Sequence, residues 1–578
     1  MITKFEGDNP APTKKTTAFV FWLFLCVSII FALLTLLGSV RSYSPVPFWD
    51  MWDGFLQNHE QGTTVQNLFS LHNEHRIFLA RILFIIDMYI FGGQSKFLIF
   101  SNLLFVALIG MIFGLIFIRS NLTIDFKLPL ILIFTFSWVQ RENIDWAFQS
   151  QFILSVLVPL LAFYHAWQTQ EGLGLSRRWS FLLSATFGVI AAGTMANGIF
   201  VLPLIIIYAA LSRWSLSEKA ILLILAVAVW IFYLHGYKTP GHHGSIINSV
   251  LSHPDKVAHY ITLYLGSPLY HALAGDFVGP RLARILASAL GGILILIFSI
   301  KSFVILILRR GANERAALDL FLMIFLLYIL LSAAVTAGGR VIFGVEQALA
   351  SRYTTPSLAA WSAMLLLCAP NLLRLDHALR GRIWIAAAGL VLILLPKQLD
   401  ARDPKASMQF DRFAAALALE LSVGDPSQTR AIFPSHNVLQ NIANPYVIRE
   451  QSVFANPLLQ GMRREIGIPL VPAPISHICQ GSVDAVVTTL EDPRFARIEG
   501  WLSSRSKSSH PSRISILDDR GVIIGQGVSG QPRGDVEKAI GRHARYSGFI
   551  AYVQMPLPTN MTLVERFSGC RLNVSNPR

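Results

Sequence analysis

Charge is scarce in this sequence. Only 14% of its 578 residues are Asp, Glu, Lys or Arg, 53% are hydrophobic, and mean hydropathy is +0.52. A chain so poor in charge falls outside the range of soluble domains and needs lipid as solvent. Cysteine is scarce too, and four residues leave little for metal work. Beyond residue 400 there is no apolar run long enough to span a bilayer. The formal charge of +14 raises nucleic acid as a partner, but most basic residues sit in short clusters between apolar runs. That is the positive-inside pattern of a membrane protein, and it argues against nucleic-acid binding.

The apolar residues are gathered in runs such as FVFWLFLCVSIIFALLTLLGSV, and about 20 of them suffice for one helical crossing. Lys14 and Lys15 precede the first run, which has no convincing cleavage site and reads as a retained signal anchor with a cytoplasmic N-terminus. Five basic clusters should be cytoplasmic: Arg119 with Lys127, Arg177 with Arg178, Arg213 with Lys219, Arg309 with Arg310 and Arg315, and Arg374 with Arg380 and Arg382. An even number of crossings must separate any two. Runs near 17–39, 97–118, 128–139, 152–169, 180–193, 197–212, 219–235, 282–308, 316–337, 356–370 and 383–396 satisfy this, so about 11 spans are expected. Residues 397–578 then emerge outside. The run 77–91 must not cross: its 15 residues reach about 22 Å against a hydrocarbon core of about 30 Å, and Arg81 and Asp87 would be buried in it. Broken or re-entrant helices are expected around Met195, Ala196 and Asn197. Cys26 and Cys368 fall inside apolar runs and read as packing residues.

On this topology the polar and aromatic residues concentrate in outer segments 41–76, 140–151, 236–281 and 338–355. A site there meets no ATP or nucleotide sugar, so its donor must arrive activated in the lipid. In WDMWD, Asp50 and Asp53 stand just outside the first span, and a helical turn would put both carboxylates on one face as base and positioning group. The structural alternative is an interfacial belt of Trp49 and Trp52 with helix-capping acids. HNEHR supplies His72, Glu74, His75 and Arg76. Arg76 with His75 suits a phosphate, a divalent metal is the secondary reading, and a solvated helix start is the structural one. GGRVIFGVEQALASRYTTP places Arg340, Glu346, Arg352 and Tyr353 between two spans, where an arginine fork could hold a phosphate and Tyr353 part of a sugar. RENIDWAFQSQ adds Arg141, Glu142, Asp145 and Trp146 as cleft-lining residues. His242 and His243 receive no role.

An acidic motif just outside the first span, followed by interfacial helices, resembles the GT-C superfamily of polytopic membrane glycosyltransferases. The resemblance covers residues 1–400 as topology, and at motif level WDMWD, HNEHR and SRY. It implies a polyprenyl-phosphate sugar as donor, a glycan or lipid-linked acceptor, and transfer with inversion on the outer face of a bacterial inner (cytoplasmic) membrane. Asp50 becomes the base with Asp53 as its partner, and Arg352 the holder of the donor phosphate. Family members commonly show adjacent acids, whereas two residues intervene here, so which of Asp50 and Asp53 is the base stays open. No cofactor is firmly implied. A transporter or flippase of lipid-linked glycans, or an oligosaccharide polymerase or ligase, is the alternative.

The domain plan is a transmembrane part, residues 1–400, with first outer loop 41–96; a helical or mixed connecting region, 401–475; and a β-sandwich-like extracytoplasmic, periplasmic domain, 476–578. Residues 407–422 fit an amphipathic helix. ARIEGWLSS, SRISILDDRGVIIGQGVSG and YSGFIAYVQMPL alternate as strands, with DDRG as a hairpin turn. With GW, a DxxG turn and RGDV in order, the tail resembles accessory sandwich domains of surface-polysaccharide enzymes, which leaves glycan binding and a structural or docking role both open. Outside the cytoplasm Cys479 and Cys570 could form a disulfide worth about 4 kcal/mol.

Overall fold

Apolar runs become helices in the computed structural model, which describes residues 14–120, 125–172, 174–212, 214–237, 244, 246–274, 280–308, 316–367, 377–403, 406–470, 478–488, 491–504 and 511–575. Arg213, Arg309, Arg310, Arg315, Arg374, His242, His243 and Cys368 lie outside the described residues. The principal helices of the first 400 residues are α1 (Lys14–Ser42), α2 (Phe78–Phe91), α3 (Lys96–Arg119), α4 (Lys127–Thr135), α5 (Ser150–Glu171), α6 (Arg177–Ala191), α7 (Val201–Leu211), α8 (Leu216–Leu234), α9 (Pro254–Ala272), α10 (Arg281–Leu308), α11 (Ala316–Arg340), α12 (Thr354–Leu367) and α13 (His377–Leu399). Seven of these, α1, α3, α5, α8, α10, α11 and α13, are long and apolar enough to cross a membrane. The apolar window of α5 is 89% buried and that of α11 61%, against 17–22% for α1, α8, α10 and α13, so α5 and α11 are central and the other four face outward.

The expected 11 spans are therefore not all present as long helices. The runs at 128–139, 180–193, 197–212 and 356–370 give α4, α6, α7 and α12, of 9, 15, 11 and 14 residues. At about 1.5 Å per residue none reaches the roughly 30 Å of the hydrocarbon core. The chain does break around Met195, where extended backbone precedes a short 3-10 turn, Ala196–Phe200. Gly198 folds back onto the end of α6 so closely that a Cβ would lie 1.8 Å from the Ala191 carbonyl oxygen.

Segment 236–281 is not a loop. It contains a short helix, Ile246–Ser252, and then α9, whose Tyr260, Leu263, Tyr264 and Leu265 are buried. Tyrosine, histidine and serine dilute its hydropathy because protein, not lipid, covers it. Thr262 and Gly266 on α9 meet Ser288 and Gly292 on α10. A Cβ at Gly266 would sit 1.7 Å from the Ser288 carbonyl oxygen, and one at Gly292 1.9 Å from that of Thr262. Small residues four apart on both helices thus let the backbones touch.

The 14-residue α2 agrees with a segment too short to cross. Its buried Arg81 donates to the carbonyls of Asn67 (2.9 Å), Leu68 (3.1 Å) and Ser70 (2.5 Å). Asp87 accepts from the Ser95 N–H at 3.0 Å and so caps the turn that leads into α3. Burial pushes its carboxyl up to about 6.

By internal contacts the chain divides into two units. The first comprises 1–41, 64–82 and 99–403; the second comprises 42–63, 83–98 and 404–578. The division falls at 403/404, and most of 41–96 groups with the C-terminal part. After α14 (Ala406–Glu420) and α15 (His436–Arg449) come strands β1 (Gln480–Val487), β2 (Phe495–Ser503), β3 (Arg513–Leu517), β4 (Ile523–Gln531), β5 (Gly548–Gln554), β6 (Asn560–Glu565) and β7 (Arg571–Ser575). All seven form one antiparallel sheet in the order β1-β2-β5-β4-β3-β6-β7.

The sheet is barrel-like, which corrects the sandwich expected from strand alternation. Its inward residues, among them Ile498, Ile514, Ile516, Phe549, Val553 and Leu563, converge on one core. Gly500 lets β1 press against β2, where a Cβ would lie 2.2 Å from the Ser482 carbonyl oxygen, and such close approach permits tight curvature. The DDRG turn does join β3 to β4, with Asp518 accepting from Arg520 N (2.9 Å) and Val522 N (2.8 Å). Cys479 and Cys570 are bonded, as the sequence suggested. Asp425 lies under the sheet, where Ser427 and Arg497 (2.6 Å) hold its carboxyl below the usual range against the effect of burial.

Candidate functional site

In the first unit the HNEHR segment is a closed turn. His72 and His75 exchange backbone hydrogen bonds at 2.8 and 2.9 Å, with Asn73 at φ +51°. The turn presents Glu74, whose Oε1 accepts from Arg340 Nη2 at 3.1 Å and lies 3.4 Å from His75 Nε2. His75 Nδ1 accepts from the Ala196 N–H at 3.3 Å. Its proton therefore sits on Nε2, facing Glu74. The broken helix thus positions this histidine, and Asn197 beside it donates to Ser332 on α11 at 2.9 Å. The side chains of Glu74, His75 and Arg340 are 18–22% exposed, enough to reach a ligand. Tyr260 and Tyr353 lie within electrostatic reach of Arg340, and burial raises the Tyr260 phenol well above its ordinary value, so it stays a neutral hydroxyl.

A second polar group forms where RENID meets SRY. Arg352 lies 4.0 Å from Glu142, Ser351 donates to the same carboxylate, and Asn143 Nδ2 donates to the Arg352 carbonyl (2.8 Å) and to Thr355 (2.7 Å). The Arg352 guanidinium also lies over the Tyr353 ring. Arg141 pairs with Asp145 at 3.5 Å. Sequence reading placed Glu142 only as a cleft residue; its bond with Arg352 joins positions 210 apart and has no local signal. The His72 ring packs at 5.2 Å from that of Phe148. Among the described residues no three His, Cys, Asp or Glu side chains gather as metal ligands.

Arg76 has a different task from the one its motif suggested. Its guanidinium donates to the carbonyls of Phe69, Tyr233 (3.0 Å) and His235 (2.6 Å) and lies over the Phe232 and Tyr233 rings. Every nitrogen is committed to backbone, two at the end of α8 and one at Phe69, so Arg76 is a clamp between the two segments. Arg76→Ala should leave three carbonyls without their donor and cost about 3 kcal/mol of stability, with Arg76→Lys recovering little because an ammonium cannot fork. Thermal unfolding in detergent measures this. A variant with unchanged melting but a lost substrate interaction would return Arg76 to the ligand.

Next to this clamp opens an apolar cavity of about 390 Å³. Phe78 of α2, Val189 and Ile190 of α6, and Leu225 and Val229 of α8 form its walls, while Arg76 and Tyr233 stand at its polar edge. The Tyr233 hydroxyl is 3.3 Å from the Glu74 carbonyl oxygen, so the cavity adjoins the Glu74 turn.

Asp50 and Asp53 belong to the second unit. The chain there winds as a π-helix, Met51–Gln57, anchored by buried Trp52, whose indole donates to the Pro47 carbonyl at 2.9 Å. Asp50, at the start of this winding, is half-buried, and Asp53 within it is exposed. Asp50 does not cap the helix with its side chain, while Asp53 Oδ1 accepts from the Gly54 N–H at 2.8 Å. Trp49, 44% exposed at φ +49°, is the only one of the two tryptophans that could face a membrane interface.

No family model matches this chain, and no curated protein matches it.

Proposed function

We propose that this protein is a membrane glycosyltransferase that moves a sugar from a polyprenyl-phosphate donor to an envelope glycan or lipid-linked acceptor. The apolar cavity beside the Glu74 turn carries the reading. An isoprenoid chain in it would bring its phosphate to the polar edge, near His75 and Arg340, the groups that hold Glu74. The guanidinium of Arg340 suits the charge that grows on the departing phosphate. The hydroxyls of Tyr260 and Tyr353, with the Glu142–Arg352 pair, offer donors and acceptors for a sugar. The resemblance assigns the general base of such a transfer to an acid of WDMWD.

The finer topology belongs to the same proposal: 11 crossings in which α4, α6, α7 and α12 pass as short or paired half-helices, a cytoplasmic N-terminus, and residues after 400 in the periplasm. The Cys479–Cys570 disulfide supports that placement, since such bonds persist in oxidising compartments. A flippase is the second reading, favoured by the interrupted α6–α7 pair, since broken helices also build transport sites.

The test is sugar transfer from polyprenyl-phosphate hexoses by the full-length protein in lipid. Ala228→Trp, which fills the cavity, should raise KM for the donor about tenfold with kcat little changed, a loss of uniform binding. Translocation of the donor without transfer would favour the flippase and remove the transferase reading.

A further inference from the structure

Seven antiparallel strands leave the two edges of the sheet, β1 and β7, pointing the same way. They meet at one end only, where Ile478 bridges Arg571 in parallel, Cys479 N donates to the Arg571 carbonyl at 2.9 Å, and the disulfide joins Cys479 to Cys570. Beyond it, residues 481–486 and 572–575 line a wedge of about 330 Å³. Its inner side is closed by Leu572 and Val574, which pack on the core, and its rim carries Ser482, Asp484, Asn573 and Ser575.

The rim is shaped by sequence irregularities. Val483 pairs with Gly500 and Ala485 with Glu499, so Asp484 is the extra residue of a β-bulge, a device that re-aims a side chain. Its carboxylate accepts from Arg533 Nη1 at 2.6 Å, and Asp535 holds the same guanidinium at 2.6 Å. Trp501 is the cross-strand partner of Ser482, which puts its half-buried ring on the rim's face. The partner of Trp501 on its other side is Gly548, which has no side chain to cover the ring. The GW and RGDV features, more than 30 residues apart in sequence, thus come to one seam.

We propose that this seam is a saccharide-binding site for one or two hexose units of a neutral glycan. Hydroxyls can exchange hydrogen bonds with the Asp484–Arg533 pair, Asn573 and the alternate backbone groups that each edge strand directs away from its neighbour. Trp501 offers an aromatic face to a pyranose ring. An inserted peptide strand fits less well: it needs about 9.6 Å between the edges along its whole length, whereas Cys479 and Cys570 hold the narrow end at a Cα–Cα distance of 5.2 Å. The proposal does not rest on the transfer chemistry, because its readout is binding.

Full-length protein in detergent is titrated with maltohexaose, mannohexaose and chitohexaose, following tryptophan fluorescence and amide exchange. At least one should bind saturably and slow exchange within 481–486 and 571–575. Asp484→Ala with Asn573→Ala, and separately Trp501→Ala, should each weaken binding about tenfold or more while melting of the domain stays close to wild type. No binding by any of the three sugars, binding unaffected in both variants, or protection of these strands that grows with protein concentration in the absence of sugar, which is strand exchange between copies, would overturn the proposal.

Discussion

Asp50→Asn protein should transfer sugar about 10²- to 10⁴-fold more slowly than wild type, the range expected when a positioned general base is removed, whereas Asp53→Asn should lose far less. The asymmetry follows from the π-helical start of the second unit. Asp50 is half-buried, while Asp53 is exposed and accepts from the backbone of Gly54. Removing a base takes away its rate effect but not donor affinity, so KM for the donor should hold steady in Asp50→Asn. The isosteric amide keeps volume and hydrogen bonding, which separates chemistry from folding. If both variants transfer at the wild-type rate, no acid of WDMWD is the base. Glu74→Gln is then the deciding variant, because Glu74 is the carboxylate held by Arg340 and His75 beside the apolar cavity.

Loss of the Cys479–Cys570 bond should destabilise the barrel by about 4–5 kcal/mol, the chain-entropy value for a loop of this size; the sequence separation is 91 residues. Both cysteines are buried, at 4% and 0% exposure, so the cost of burying two serine hydroxyls adds to the entropy. The bond also joins the two edge strands, beside the bridge of Ile478 with Arg571. Cys479→Ser with Cys570→Ser should therefore lower the unfolding midpoint of the C-terminal unit by about 10 °C or more. Added reductant should reproduce this in wild type only after partial unfolding admits it. A midpoint unchanged by the double substitution would show that the strand ladder alone holds the barrel closed.

The parts of this fold legible in sequence were those with a local cause. Runs of 18 or more apolar residues gave long helices because lipid selects on hydropathy alone, and DDRG gave its turn through the side chain of Asp518. Helix α9 was hidden because its lining of tyrosines and small residues is matched to neighbouring helices, information that no single window contains. Strand alternation named the inward residues but not whether they face a second sheet or one another, hence the sandwich. In the candidate site, Glu74 and Arg340 were recognised as functional types, yet their pairing spans 266 positions. Arg76 was assigned to a phosphate because carbonyl oxygens and phosphate oxygens ask for the same fork of donors; only the position of the α8 terminus separates them.

The glycine contact between α9 and α10 has a consequence for synthesis. Residues 254–272 carry little apolar surface, and their glycine-lined face is closed by the backbone of residues 281–308. The ribosome delivers the dependent segment first. The stretch is therefore expected to stay unpacked until α10 has been made, so that the later helix completes the fold of the earlier one.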